Sequence, residues 1–589
     1  MIVSCRCCLP VLLFMVLFGC FGIAPLQLWA QVGTAVAPKK EPTLSDLFIE
    51  VRKIMQTKDP EEQAKALITL AKSHPELVRV EGGSGNMAYI ANTYIKASAK
   101  SPAKLEAWLN IFDPAVQNDL TGTGYASSDF NYRMAKNLLD SHVLRQSALQ
   151  LAQQAADGFN EKDAFAHESY LHDERLSLAH ANDKAGKDSF DRSDALDHYQ
   201  RDAATRYSLL GDLQAEAGQT KAALASYEKA LKFSPNMGAY LGEARLKESF
   251  DDKTGALALL FDAELTGHLQ ASSIEHMKQL YIELHPGSNE VQMNADLDTL
   301  YNKRFQSPVH FTHYKAASTM SSHTVLGELF TGAGCEPCMS PDLAFEAALA
   351  RYSRDEFVLL VYHDNSPAVD PLANPVTDER GKYYTTEGST PHAQLDGTLI
   401  DLVQGLPSHA QESADKIFAE IDEQISKPAD ISFVLSATRH GDDVDVTVHV
   451  QSPPNSKNRK LHLNLVEKEV SYSGENSLRI NPMVVRATAQ QTGLESGFVI
   501  PESGIFDIHY TFEIPKIEAV NHAYYNHLDE SLKQRSNGVL GAEYREKKVL
   551  IDLNKLAVVV FIQDDSDKKV VQSAYTEVHG SSAVLVGER

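Results

Sequence analysis

The spacing of apolar positions changes along the chain, and the changes divide it into three stretches. From Leu44 to about residue 305, apolar residues recur at intervals of three and four. Leu47, Val51, Ile54 and Met55 show it, as do Met134, Leu138, Leu139, Val143, Leu144, Ala148, Leu151 and Ala152. That spacing places them on one face of a helix, so residues 44–305 are expected to be an α-helical region. Residues 31–43 have no period and read as a flexible lead-in.

The middle stretch turns to strand chemistry. Residues 325–330 form an apolar run, 331–334 a glycine-rich turn, and 340–352 regain helical spacing through Leu343, Ala347 and Leu349. Residues 357–362 follow as a buried strand, which completes a β-α-β unit. Further on, Pro391 leads into a short strand that ends in a turn at Gly397, and residues 408–426 have the pattern of an amphipathic helix. This α/β portion is expected to span 322–427. From 430 to 579 the runs 431–436, 444–450, 461–466, 505–512, 556–562 and 570–575 follow, and most of them alternate with period two. Separated by Gly, Pro and Asp turns, these predict an antiparallel β-sandwich of about seven strands. The expected fold class is therefore multidomain: a helical array, then an α/β domain, then an all-β sandwich.

Composition adds limits. A chain of 589 residues, 43% hydrophobic and 23% charged, is ordinary globular material for two to four domains. The 79 Asp and Glu against 55 Lys and Arg give a formal charge of −24. Such a surface repels nucleic acid, which is dropped as a partner class. Residues 1–30 carry one cation (Arg6), no acid, an apolar run from Leu9 to Ala24, and Leu28-Trp29-Ala30 before Gln31. This is the layout of a signal peptide, so export to a periplasmic or extracellular space is expected. Lipid anchoring at Cys20 is the alternative, and the bulky Phe18 disfavours it.

Four of the six cysteines lie in that leader, and the remaining two, Cys335 and Cys338, stand in Gly-Cys-Glu-Pro-Cys-Met. At a strand-to-helix junction, a helix N-terminus stabilises the thiolate of one cysteine while the second can attack a mixed disulfide. As a staple the pair closes so small a loop that chain entropy gives it only about 2 kcal/mol. Thiol-disulfide exchange therefore accounts for it better than stability does, with a structural disulfide as the alternative. Glu336, next to Cys335, opposes the helix N-terminus and should raise the thiol pKa, which points away from a strong oxidant.

Two stretches of the chain resemble known families. Tyr207, Leu210, Gly211, Gly218, Ala223, Tyr227, Ala230 and Pro235 resemble a tetratricopeptide repeat at about 204–237, with Gln214 where that family usually has an aromatic. Such a repeat implies a platform for a protein partner, or a spacer. The strand, Cys-x-x-Cys, helix, strand and Thr390-Pro391 order is similar to the thioredoxin superfamily, in a secreted bacterial branch with a following β domain. The resemblance implies that Cys335, the more exposed cysteine, is the nucleophile and Cys338 the resolving thiol. Pro391 would be the cis proline beside the dithiol, and Thr390 would offer its backbone to a substrate peptide. Glu328 corresponds to the buried acid of that family and becomes a candidate proton acceptor for Cys338, although it lies seven residues before Cys335, one more than is typical. Pro337 resembles the reducing members. The substrates implied are protein thiols or disulfides, with no cofactor.

Metal binding is a rival, because two thiolates and a histidine such as His363 or His392 can hold copper or zinc. The spacing is one residue shorter than in copper-delivery relatives of this fold, and no second Cys-x-x-Cys completes a zinc site, so no metal is expected. A secreted, non-enzymatic interaction scaffold with a vestigial dithiol is the alternative function.

Overall fold

The computed structural model describes residues 44–74, 124–169, 192–315, 323–386, 388–429, 431–452, 458–490, 497–535 and 544–580. The expected leader, the lead-in at 31–43 and Cys20 lie outside these residues. The chain is a helical N-terminal half followed by mixed sheets, and it divides into two compact units, residues 1–259 and 260–589. Among the described residues, no helix is long and apolar enough to cross a membrane.

The first unit holds α1 (Leu44–Met55), α2 (Pro60–Ser73), α3 (Tyr125–Asp140), α4 (Arg145–Asp157), α5 (Arg192–Glu216), α6 (Thr220–Phe233), α7 (Met237–Ser249) and the start of α8 (Lys253–Leu265). The apolar stripe of α3 (Phe130, Met134, Leu138) meets Ala148 and Ala152 of α4 and Leu209, Leu210 and Leu213 of α5 in one core. The repeat expected at about 204–237 falls on α5 and α6 and ends where α7 begins. Gly218, at φ +72°, makes the tight turn between α5 and α6. Tyr227 of α6 is buried between two glycines: a Cβ on Gly211 would stand 2.5 Å from its ring and one on Gly242 2.3 Å. Only hydrogen at those positions lets the three helices close on the ring. Gln214 is buried and accepts the Ser226 hydroxyl at 2.7 Å.

The second unit begins within α8 and continues through α9 (Ala271–Leu284) and α10 (Glu290–Arg304). Then come β1 (Val325–Thr331), α11 (Met339–Arg351), β2 (Phe357–His363), α12 (Pro375–Tyr384), β3 (His392–Leu395), β4 (Thr398–Ile400) and α13 (Ala410–Ile425). β1 pairs parallel with β2 and antiparallel with β3. α13 buries Ala410, Ala414, Ile417, Phe418, Ile421 and Ile425, the helical stripe its sequence carries.

The remaining strands are β5 (Ser432–His440), β6 (Asp443–Gln451), β7 (Arg459–Ser471), β8 (Ile480–Thr488), β9 (Phe498–Val499), β10 (Ile505–Glu513), β11 (Leu556–Asp564), β12 (Val570–Glu577) and β13 (His579–Gly580). Two features depart from the sequence expectation of a separate all-β segment. First, β8 pairs parallel with β2 at Val484 and Val361, so β12-β11-β7-β8-β2-β1-β3-β4 form one sheet running across the expected boundary near 430. Second, a 22-residue helix, α14 (Ile514–Arg535), separates β10 from β11. β10-β6-β5-β13 make a second sheet. β11 shows why the shared sheet is stable: Ala557, Val559 and Phe561 enter the core that holds β1 and β2. Leu556, Val558, Val560 and Ile562 point the other way, into the core shared with β6.

Candidate functional site

The dithiol sits where β1 gives way to α11. The chain leaves the sheet at Thr331, turns through 332–334, and enters a short 3₁₀ turn, Glu336–Cys338, that runs into α11. Gly332 permits the turn because a Cβ there would come within 3.0 Å of the Ser366 carbonyl oxygen. Cys335 N–H donates to the Gly332 carbonyl at 2.9 Å, and Cys338 N–H to the Cys335 carbonyl at 3.1 Å. The two sulfurs are joined in a disulfide with the Cα atoms 5.3 Å apart. From the outer side, Gly405 donates its N–H to the Pro337 carbonyl and accepts that of Ser340, which holds the turn against the segment before α13.

Both cysteines are buried. Cys335 is 1% exposed against 0% for Cys338, so it does not stand out to solvent as the resemblance implies. The Thr390–Pro391 peptide is cis. The Thr390 hydroxyl donates to the Ser366 carbonyl at 2.9 Å and lies 3.7 Å from Cys335 Sγ. Thr390 and Pro391 are thus brought to Cys335 from 55 residues away by the pairing of β3 with β1.

Glu328 is placed differently from the sequence expectation. Side chains of a strand alternate between faces. Leu329 and Thr331 line the same small cavity as Asp342 and Phe345 of α11, the helix that follows Cys338. Glu328 therefore points to the opposite face. There its carboxylate, 0% exposed, receives Arg380 Nε at 2.7 Å, Arg380 Nη2 at 2.9 Å and the Tyr384 hydroxyl at 2.6 Å, all from α12. Tyr362 adds its hydroxyl at 3.3 Å. A carboxylate held by a guanidinium and two phenols across the sheet from α11 is a structural ion pair, so its role as proton acceptor for Cys338 is withdrawn. The seven-residue spacing carries the reason, since a slip of one residue exchanges the two faces.

A different acidic group stands on the side of the thiols. Asp342 follows Cys338 by four residues and so occupies the same face of the helix one turn on. Burial pushes its pKa up to about 7; the nearby Thr331 hydroxyl and His363 pull it down, while Asp370 and Glu346 push it up. Burial also raises Glu346. His363 and Asp370 are buried, with His363 Nδ1 3.0 Å from Asp370 Oδ2. The same Asp370 carboxylate accepts the N–H of Ala333, in the dithiol turn, at 2.6 Å, and that of Leu372 at 2.7 Å. The other nitrogen of His363, Nε2, is buried without a hydrogen-bond partner and borders the cavity that Asp342 and Thr331 line. His392 is turned away: it stacks on Phe330 and its Nε2 lies 2.8 Å from Thr386 Oγ1. Among the described residues, no group of three or more His, Cys, Asp or Glu is arranged to hold a metal ion.

Sequence reasoning missed Asp342 and Asp370. The i, i+4 relation between Cys338 and Asp342 was available as a signal. Asp370 lies in an irregular proline-rich loop where no period announces direction.

No protein-family model matches the chain, and no curated protein matches it. Among solved structures it is similar to HBP35 of Porphyromonas gingivalis, at 12% identity over 46% of this chain and 80% of that one. The TM-score of 0.29 is too low for that likeness to carry an argument.

Proposed function

We propose that the protein is an exported thiol-disulfide oxidoreductase, acting as a disulfide reductase, with a thioredoxin-like portion at 322–427 set within the larger sheet and a tetratricopeptide-like partner platform in the helical half. The observation that carries this reading is the Cys335–Cys338 pair at the head of α11, with the Thr390 hydroxyl 3.7 Å from Cys335 Sγ. In the reduced protein, the Cys335 thiolate attacks a substrate disulfide, forms a mixed disulfide and expels one substrate thiolate. The Cys338 thiolate then attacks Cys335 Sγ, releasing the second substrate thiolate and leaving the Cys335–Cys338 disulfide. Two electrons pass from the dithiol to the substrate, and an external dithiol must restore them. Thr390 and Pro391 border the nucleophile and shape peptide access. The apolar leader supports export.

The test is a redox titration of residues 31–589 against dithiothreitol, scored by the alkylation mass of Cys335 and Cys338, with Cys338→Ser as trap. Reversible titration and a mixed disulfide through Cys335 are expected. A potential near roughly −270 mV would mark a reductase and one near roughly −120 mV an oxidant. The burial of both sulfurs favours a second reading, a non-enzymatic secreted scaffold whose dithiol is vestigial. That reading gains if no partner is trapped.

A further inference from the structure

Exchange at this dithiol requires a sulfur to be reached, yet Cys335 is 1% exposed. Two loops stand against the turn that carries it. A Cβ on Gly334 would lie 3.4 Å from the Ala368 Cβ and 3.5 Å from Glu475 Oε2, so a different loop abuts each side.

The loop at 364–372 is tied down along its length. Asn365 bonds the Tyr524 hydroxyl, Asp370 accepts the N–H groups of Ala333 and Leu372 and pairs with His363, the Tyr525 hydroxyl donates to the Pro371 carbonyl, and Thr390 holds the Ser366 carbonyl. The loop at 472–478, which joins β7 to β8, is built otherwise. Its tip meets the dithiol turn through one backbone bond, Asn476 N–H to the Ala333 carbonyl at 3.0 Å. Gly474 permits that approach, since a Cβ there would stand 2.5 Å from the same oxygen.

The flanks of this second loop are fastened to helices. Arg545 donates to the Ser473 and Gly267 carbonyls and makes a two-pronged pair with Glu264 at 2.7 and 2.8 Å. Arg479 bonds Asp298 of α10 at 2.6 Å and the Ser473 hydroxyl at 3.0 Å. Gly474 packs against Gly267 and Leu478 is buried in the core that holds β1 and β2, whereas Glu475 and Ser477 are exposed and the stretch between meets the dithiol turn through that one backbone bond, so opening of this loop is confined to residues 475–477.

We infer that residues 475–477 form a gate beside Cys335 and set the substrate range of the dithiol, admitting small disulfides and unfolded chains ahead of disulfides in folded proteins. The inference rests on the exchange reading for its substrates but is measured without it. The full chain is reduced with a phosphine, and Cys335 is alkylated by iodoacetamide and by a maleimide on a large polyethylene glycol, each rate referred to the unfolded chain. The native chain should protect Cys335 far more against the bulky reagent. Arg545→Gln should raise the bulky rate by about tenfold, the order expected for losing a charge-assisted hydrogen bond. Disulfide reduction of an insulin-like folded substrate should rise with it, and that of a small aromatic disulfide should change less.

A second measurement needs no variant. Hydrogen exchange at the Asn476 amide should run in step with bulky alkylation and faster than at Val559 in the sheet core. Equal protection against both reagents overturns the gate, as does an Asn476 amide as slow as that of Val559. If Arg545→Gln unfolds, the two measurements on the native chain decide alone. A pair that never titrates against dithiothreitol refutes the exchange reading and leaves these access measurements in force.

Discussion

Replacing Asp342 by Asn should make the second unit more stable above neutral pH and nearly unchanged below pH 4. In the fold, burial raises this carboxyl from 3.8 to about 7, so the native state holds its proton more tightly than the unfolded chain does. Below the unfolded pKa both states are protonated and nothing is lost. Between pH 4 and 7 the unfolded chain ionises first, so stability falls as pH rises; above 7 the full cost of a buried carboxylate is present. The displacement, at about 1.36 kcal/mol per pH unit, sets a ceiling of about 4 kcal/mol. Asp342 keeps part of its surface in water, which screens the charge, so about 1–2 kcal/mol is the expected size. Asn removes the charge while keeping the side chain's shape. The assay is native-state hydrogen exchange of β1 and α11 amides at pH 5 and pH 8, corrected for intrinsic rates, because a chain of two units gives no single unfolding midpoint. Opening energies in the native chain should fall from pH 5 to pH 8, and the Asn variant should show a smaller fall. Protection that rises with pH, or a variant weakened equally at both pH values, would refute the reasoning.

Other outcomes follow from the same packing. Glu328→Gln leaves Arg380 buried without its anion and should cost about 3–5 kcal/mol in β1 opening energy. The pH dependence of Cys335 alkylation should stay where it is, since the carboxylate faces away from α11. Gly242→Ala drives a methyl into the Tyr227 ring and should destabilise the first unit by about 1–3 kcal/mol, read as a lower thermal midpoint of residues 44–259 by circular dichroism. Thr390→Val removes the donor to the Ser366 carbonyl and should loosen the 364–372 loop. Faster bulky alkylation of Cys335, with an Asn476 amide as protected as in the native chain, would show that the two loops move independently.

Much of the local architecture was legible because it depends on nearest neighbours. The stripe Ala410, Ala414, Ile417, Ile421 can only be a helix face, and the alternation of residues 444–450 can only be a half-buried strand. The junction of strand, glycine turn, dithiol and helix is likewise local, so Cys335 and Cys338 could be picked out as candidate chemistry from their own surroundings. Residues 556–562 were legible as a strand, but their unbroken apolar run could not say that its two faces belong to two different cores.

The sequence by itself determined the helical first half, the positions of most strands and the place of the dithiol, because period and turn chemistry act over a few residues. Tertiary structure decided the rest. Whether Glu328 or Leu329 faces α11 depends on which side of the sheet the helix packs, and Arg380, 52 residues away, claims the carboxylate. The joining of β2 to β8 depends on edges more than a hundred residues apart, and the loop that meets the dithiol turn at Ala333 comes from a stretch that no spacing ties to it. Such choices are made by which surfaces bury one another, a property that exists only once the elements meet.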